Sequence, residues 1–369
     1  MPHPDVIVVG GGVVGAACAR ALAGAGHSVT VLEAGPKRGA ASLAAAGMLA
    51  PLAEAAAGDP MLGLSVRARD FYLEIVPELQ EETGIDIGLW TSGIFQVAFT
   101  EEEAAYIRSE VAWQRQSGFT SEWLSAEEVR ARVPGAAPEL LGAAFAAEDG
   151  ALRPLELLDA LTKSATIRGA ALVRGEEALE LLVEEGRVTG LRTSLEERST
   201  GAVVVAAGAW SGQLLGLPRP LTVEPIRGQL AALDLPPMEP RTVIYGGGGY
   251  LLQRRDEVIV GSTMEYVGFD DSVTEHGIRK IQQCASRICP AFEAAHIKRS
   301  WSGLRPQTPD GRPLIGRDPY VSGLCYATGH GRNGILLAGL TGELVAQLHS
   351  DKPPEQDLSC VEPGRFWSW

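Results

Sequence analysis

The chain has 369 residues, long enough for two intertwined domains with large cores, and an ordinary globular composition. Its 32 basic and 46 acidic residues give a formal charge of −14, which argues against a nucleic-acid partner, since such binders present a basic face. An anionic substrate would have to be held by local arginines against the overall field.

Residues 5–26, DVIVVGGGVVGAACARALAGAG, are nearly free of charge. A secretion signal wants Lys or Arg ahead of its apolar core, and Met1 to Asp5 has neither. A membrane span needs about 20 mostly apolar residues without breakers, and six glycines from Gly10 to Gly26 interrupt this run. Val6 to Val9 is a β-branched burst, predicting a strand buried on both faces. Val14, Cys18, Ala21 and Leu22 recur at helical spacing. Val29 to Leu32 predicts a second strand, ended by Glu33.

The turn between strand and helix carries Gly10-x-Gly12-x-x-Gly15, a dinucleotide-binding fingerprint. Its first glycine permits the tight turn, its second admits a pyrophosphate and its third lets helix and strand close. The phosphates then meet the positive helix N-terminus. Glu33, 18 residues past Gly15, is placed to accept the ribose hydroxyls. A glycine-rich turn that holds nothing is the plain alternative.

The Ala/Gly-rich stretch 39–58 reads as a close-packed loop and short helix. WTSGIFQVAF (90–99) carries an antiparallel strand signal, and LELLDALTKSATIRGAALV (155–173) an amphipathic helix feeding a strand. GAVVVAAGAWSG (201–212) is a buried strand running into small residues around Gly208, where backbone can meet cofactor. YLLQRRDEVIVGSTM (250–264) is a hairpin with its polar turn at 254–257, bringing Tyr250 and Met264 to one end. A helix, EHGIRKIQQCASRICPAF (275–292), follows. Residues 323–348 read as strand, Gly-rich loop and helix, whose N-terminus would stabilise an anionic reduced flavin.

The pattern is α/β with two interleaved domains. Residues 1–83, 150–220 and 306–369 read as helix and parallel strand, a Rossmann-like dinucleotide-binding half. Residues 84–149 and 221–305 read as a mixed, antiparallel-rich sheet that binds substrate. No second strand–GxGxxG–helix unit exists, so this device binds one dinucleotide. Two later segments returning to it favour FAD over NAD. Five cysteines without a CxxC fit a reducing cytoplasm, and no metal-ligand spacing appears.

VIVVGGGVVGAACARALA…VTVLEAG, AAAGMLAP, GLRPQTPDGRPLIGR and GHGRNGILLA…TGELVA resemble the D-amino-acid-oxidase-like flavoproteins, nearest to members that oxidise glycine for the thiazole branch of thiamine biosynthesis. The resemblance implies non-covalent FAD, a small amino-acid substrate, dioxygen as acceptor, peroxide as product and a homotetramer. It implies FAD contacts at Val13, Val14, Glu33, Ala34, Ala41, Ser42, Ala46, Gly47, Met48 and Ala178. His330, Gly331, Arg332, Asn333, Gly334, Ile335 and Leu336 would wrap the flavin's pyrimidine end.

On the substrate side it implies that Arg305 grips the carboxylate, with Tyr250 beside it, Arg332 as a second arginine and Met264 on the wall. A guanidinium fork suits a planar carboxylate. Structural alternatives stand beside each role. Arg305 packs on Pro306, Arg332 caps its loop, Tyr250 is a strand aromatic, Met264 fills core, and His330 is a satisfied loop histidine. Two departures from the pattern are visible. YGGGGY (245–250) stands where relatives carry larger residues, opening the pocket to sarcosine or small D-amino acids. Gly303 stands where sarcosine oxidases tether flavin through cysteine, which excludes that covalent route. An oxidase or dehydrogenase of broader specificity is the alternative function.

Overall fold

The computed structural model describes residues 3–35, 39–234, 241–254 and 257–367. The predicted opening is observed: strand β1 (Val6–Val9), helix α1 (Val13–Gly24) and strand β2 (Val29–Glu33). They form the centre of a six-stranded sheet ordered 314–317, 324–328, 203–205, 6–9, 29–33, 171–174. All neighbours run parallel except Leu314–Arg317 against Leu324–Thr328.

β1 is buried on both faces because each face has its own layer. Val6 and Val8 pack with Cys18, Ala19 and Leu22 of α1, on the helical side. Ile7 and Val9 pack with Leu181, Val188 and Leu191, on the other. That second layer departs from the sequence reading, which took 150–220 as helix and parallel strand. Residues 178–199 form a three-stranded antiparallel meander laid across the sheet. Its strands alternate exposed and buried residues, as one-sided antiparallel strands do. Helix 154–167 and strand 171–174 appear as predicted.

The second sheet has eight strands, ordered 297–307, 224–233, 258–261, 249–253, 243–246, 94–98, 142–146, 121–125. It is antiparallel except where Val243–Gly246 runs parallel to Ile94–Ala98. One face packs on helix Glu275–Ile288 through Ile281, Ala285 and Ile288. That helix ends before Pro290, not at Phe292 as the periodicity suggested, since proline cannot continue it. The other face, with Leu230, Leu252 and Tyr250, meets Ala46, Ala50 and Ala53. Small residues there let the 39–53 segment lie flat between the sheets. Its short helix α2 (Ala41–Ala44) receives the Trp301 Nε1 hydrogen bond at Ala44 O, 3.0 Å.

The hairpin at 250–264 is present, with Tyr250 opposite Gly261 and the Arg254 N–H bonded to Glu257 O. Two of its turn residues, Arg255 and Asp256, lie outside the described residues. No helix among the described residues is long and apolar enough to cross a membrane. All five cysteines are free thiols.

Candidate active site

A cleft of about 1280 Å³ runs between the two sheets, from Glu33 at one end to Tyr250 and Arg305 at the other. It exceeds the roughly 300–1,000 Å³ usual for a small-molecule site, which suits an extended dinucleotide plus a substrate.

At the nucleotide end, backbone dominates the wall. Gly10, Gly12, Val13 and Val14 line it, together with Ala34, Ala178 and Gly208. Gly10 has φ +105°, a conformation that favours glycine, and a Cβ there would stand 2.5 Å from Ala206 O. Glu33 is locked by two backbone donors: Gly11 N at 2.6 Å and Gly35 N at 3.1 Å. Each carboxylate oxygen keeps lone-pair capacity for a ribose hydroxyl. Ser42 Oγ accepts from Val13 N at 3.0 Å, at the start of α1, whose N-cap Gly12 supplies no side chain. These residues fit FAD: bare backbone and a helix N-terminus for the pyrophosphate, and a fixed carboxylate for the ribose.

Farther along, Ala41, Ala46, Gly47 and Met48 line one wall and His330, Gly331, Arg332, Asn333, Gly334 and Ile335 another. Leu336 does not reach the cleft; it is buried among the helices with Leu337 and Leu340. Gly15 also lies behind the wall, pressed against Gly10 O. Gly303 lines the cleft against α2, and a Cβ there would meet Ala44 Cβ at 2.4 Å, so the position has no room for a tethering thiol.

At the far end the eight-stranded sheet delivers the polar groups. Strand alternation turns Gly303 and Arg305 to the cleft face. Arg305 Nη1 donates to Thr263 O at 3.1 Å and Nη2 to Ser262 Oγ at 2.5 Å. Burial pulls its pKa down and Arg332 adds to that, against Tyr250 and Glu54. The guanidinium lies on Gly228, where a Cβ would stand 2.4 Å from both terminal nitrogens. Tyr250 shares the Ser262 hydroxyl, and burial pushes its pKa up to about 12, so its OH remains a donor. Tyr245 stands opposite Tyr250 on the neighbouring strand. Met264 lines the cleft but is 54% exposed, so it is not core filling.

Arg332 reaches the same end from the opposite sheet. Its Nη2 lies 2.5 Å from Glu54 Oε1, and its guanidinium stands 5.8 Å from the Tyr245 ring centre. Burial opposes its charge, but Glu54 and Tyr245 outweigh that and raise its pKa. The glycines of YGGGGY make the turn between strands Val243–Gly246 and Gly249–Gln253, leaving Gly248 and Gly249 as a side-chain-free wall.

Glu54, Tyr245, Gly228, Ser262 and Thr263 were not singled out as site residues from sequence. Glu54 carried a faint signal, as the lone acid in LAPLAEAAAG. Among the described residues no group of three or more His, Cys, Asp or Glu is placed to hold a metal ion.

His330 is 2% exposed, with Nε2 3.1 Å from Thr341 Oγ1. Burial lowers its pKa to about 3, far below the ordinary value near 6.5. Between those values the unfolded chain binds a proton that the folded chain refuses. Stability therefore falls as pH drops below about 6.5, by about 1.4 kcal/mol per pH unit. We expect His330→Gln to flatten the denaturant-measured stability between pH 6 and 4 by about that slope. An unchanged slope would show that the imidazole is protonated in the folded state.

Together the glycine cradle, the fixed carboxylate and the buried arginine define a dinucleotide-dependent enzyme with a cationic side chain at the far end of its cofactor cleft. A family model described as FAD dependent oxidoreductase matches residues 5–348. The chain belongs to this family, and FAD is its cofactor. It is 37% identical over 362 residues to the glycine oxidase of Geobacillus kaustophilus (strain HTA426), covering 96% of this chain and 95% of that protein. The crystal structure of glycine oxidase from Geobacillus kaustophilus superposes with a TM-score of 0.94 at 35% identity, covering 98% of this chain and 99% of that one. The bifunctional protein ThiO/ThiG of Trichormus variabilis (strain ATCC 29413 / PCC 7937) is 34% identical over 98% of this chain, which spans 55% of that protein.

Proposed function

We propose that the chain oxidises glycine with dioxygen, giving peroxide and an imine that is hydrolysed to glyoxylate or enters the thiazole branch of thiamine biosynthesis. The observation that carries this reading is Arg305: one guanidinium, braced by Thr263 O and Ser262 Oγ, facing the far end of a dinucleotide cleft. FAD, when bound, accepts the hydride and returns the electrons to dioxygen.

The residues do the rest by placement. Arg305 holds the substrate carboxylate by its fork, and Tyr250 adds a hydroxyl donor. Pinning one end of so small a molecule fixes where its α-carbon sits. The substrate amine must arrive neutral, so that its lone pair can form C=N. No lining side chain is required to take the α-proton, and His330, with its pKa near 3, is too weak a base to do so at neutral pH.

The bare wall at Gly248 and Gly249 and the loosely packed Met264 support a second reading, in which sarcosine or small D-amino acids are also oxidised. Exposed Met264, Tyr266, Val267 and Phe269 on one short segment support self-assembly, which we propose is tetrameric and which sedimentation measures. To test the function, the purified yellow protein is mixed anaerobically with glycine, sarcosine, D-alanine and D-proline in turn. Glycine is expected to bleach the flavin band, and its failure to do so would remove the proposal.

A further inference from the structure

The two arginines at the substrate end are not equivalent. Arg305 donates to an uncharged carbonyl and an uncharged hydroxyl, so its guanidinium has no carboxylate in direct contact. Arg332 is paired with Glu54, whose side chain is only 16% exposed. Two cations and one anion line this end, leaving it a single net positive charge. Burial raises the pKa of Glu54, against the pull of Arg332 and Arg305.

Glu54 is also held from behind. Fully buried Asp149 accepts from the backbone N–H of Leu52 at 3.0 Å and of Ala53 at 2.9 Å. Arg69 Nη1 clamps its other oxygen at 3.1 Å. The Glu54 N–H donates to Ala50 O at 3.2 Å. The turn that aims Glu54 at Arg332 is therefore pinned at consecutive residues and cannot swing into solvent without stripping two backbone donors from a fully buried carboxylate.

We propose that Glu54 makes this pocket a monocarboxylate site: by neutralising Arg332 it leaves one uncompensated cation, and so rejects amino acids carrying a second carboxylate on the amine side. The inference rests on the reading of Arg305 as the carboxylate grip. One carboxylate brings the pocket to neutrality. A second would enter beside Glu54, and among the described residues lining this end Arg332 is already paired, a repulsive element of the kind that sets specificity.

The test uses the flavoprotein as purified, at pH 8, titrated with acetate and with malonate while the flavin absorption is followed. Two dissociation constants result, and their ratio is the readout. Glu54→Gln is expected to shift the ratio toward malonate by about tenfold or more. Arg332→Gln should shift it the opposite way, because Glu54 then faces the pocket unpaired. The double variant Glu54→Gln/Arg332→Gln should return near the wild-type ratio. An unchanged ratio in Glu54→Gln, or a double variant that keeps the gain, overturns the proposal. If Glu54→Gln is not recovered with flavin, Arg332→Gln decides alone, and equal loss of both anions overturns it. Turnover plays no part here. A wild type that fails to oxidise glycine would end the proposed function and leave this ratio readable.

Discussion

Arg305→Ala is expected to lower kcat/KM for the amino-acid substrate by about 10²–10³-fold while the protein stays yellow. Removing one partner of a buried, hydrogen-bonded charge pair costs about 2–5 kcal/mol, much of it the penalty on the partner left unpaired. On the proposed reading that partner is the substrate carboxylate, and among the described residues lining this end of the cleft the other cation is Arg332. Arg332 cannot substitute, because Glu54 already holds it. Arg305→Lys should recover little, since a point charge does not reproduce two parallel donors. Gly228→Ala offers an independent check. Its Cβ would stand 2.4 Å from both guanidinium nitrogens, so it displaces the group without removing it. Steady-state oxygen uptake with glycine, read beside the flavin absorbance, separates loss of grip from loss of cofactor. A kcat/KM for Arg305→Ala within about threefold of wild type would transfer the carboxylate to another residue.

Gly15→Ala is expected to yield protein with little or no bound flavin and a lowered melting temperature. A Cβ at Gly15 would stand 1.9 Å from Gly10 O and 3.0 Å from its carbonyl carbon, and neither is a flexible side-chain end that can give way. Helix α1 must lift from β1, or the turn holding Gly10 must open. Either change spoils the N–H cradle at the start of α1. α1 is also central to the core: Ala16 and Ala17 pack toward the terminal helix (Gly334–His349), and Cys18 and Leu22 toward the sheet. Overpacking at such a site costs about 1–3 kcal/mol before any lost binding energy is counted. Lost FAD lowers the midpoint further, because bound ligand stabilises the fold by mass action. The ratio of flavin to protein absorbance and a thermal melt with and without added FAD check this. Stoichiometric flavin at an unchanged midpoint would place the pyrophosphate elsewhere.

The strand–turn–helix–strand opening was readable in sequence because its determinants are close together. β1, the glycine turn, α1 and Glu33 fall within 28 residues, and each announces itself by a local rule of period, turn chemistry or spacing. The hairpin at 250–264 was readable for the same reason. The motif containing Arg305 carried a family pattern, so its residue could be named before its surroundings were known. The antiparallel meander at 178–199 was not separated from the parallel strands around it, because a short strand's direction depends on what it pairs with.

Sequence alone determined the cofactor class, since the glycine fingerprint and Glu33 are local chemistry that no distant residue has to supply, and the family resemblance singled out Arg305. Tertiary structure alone decided what that arginine's neighbours are. Glu54 meets Arg332 across 278 positions of chain, and Asp149 reaches Leu52 across 97. A glutamate in an alanine-rich run has the same local pattern whether it is solvated or pressed against a guanidinium. Its charge acquires a consequence only when folding removes the water and brings the partner.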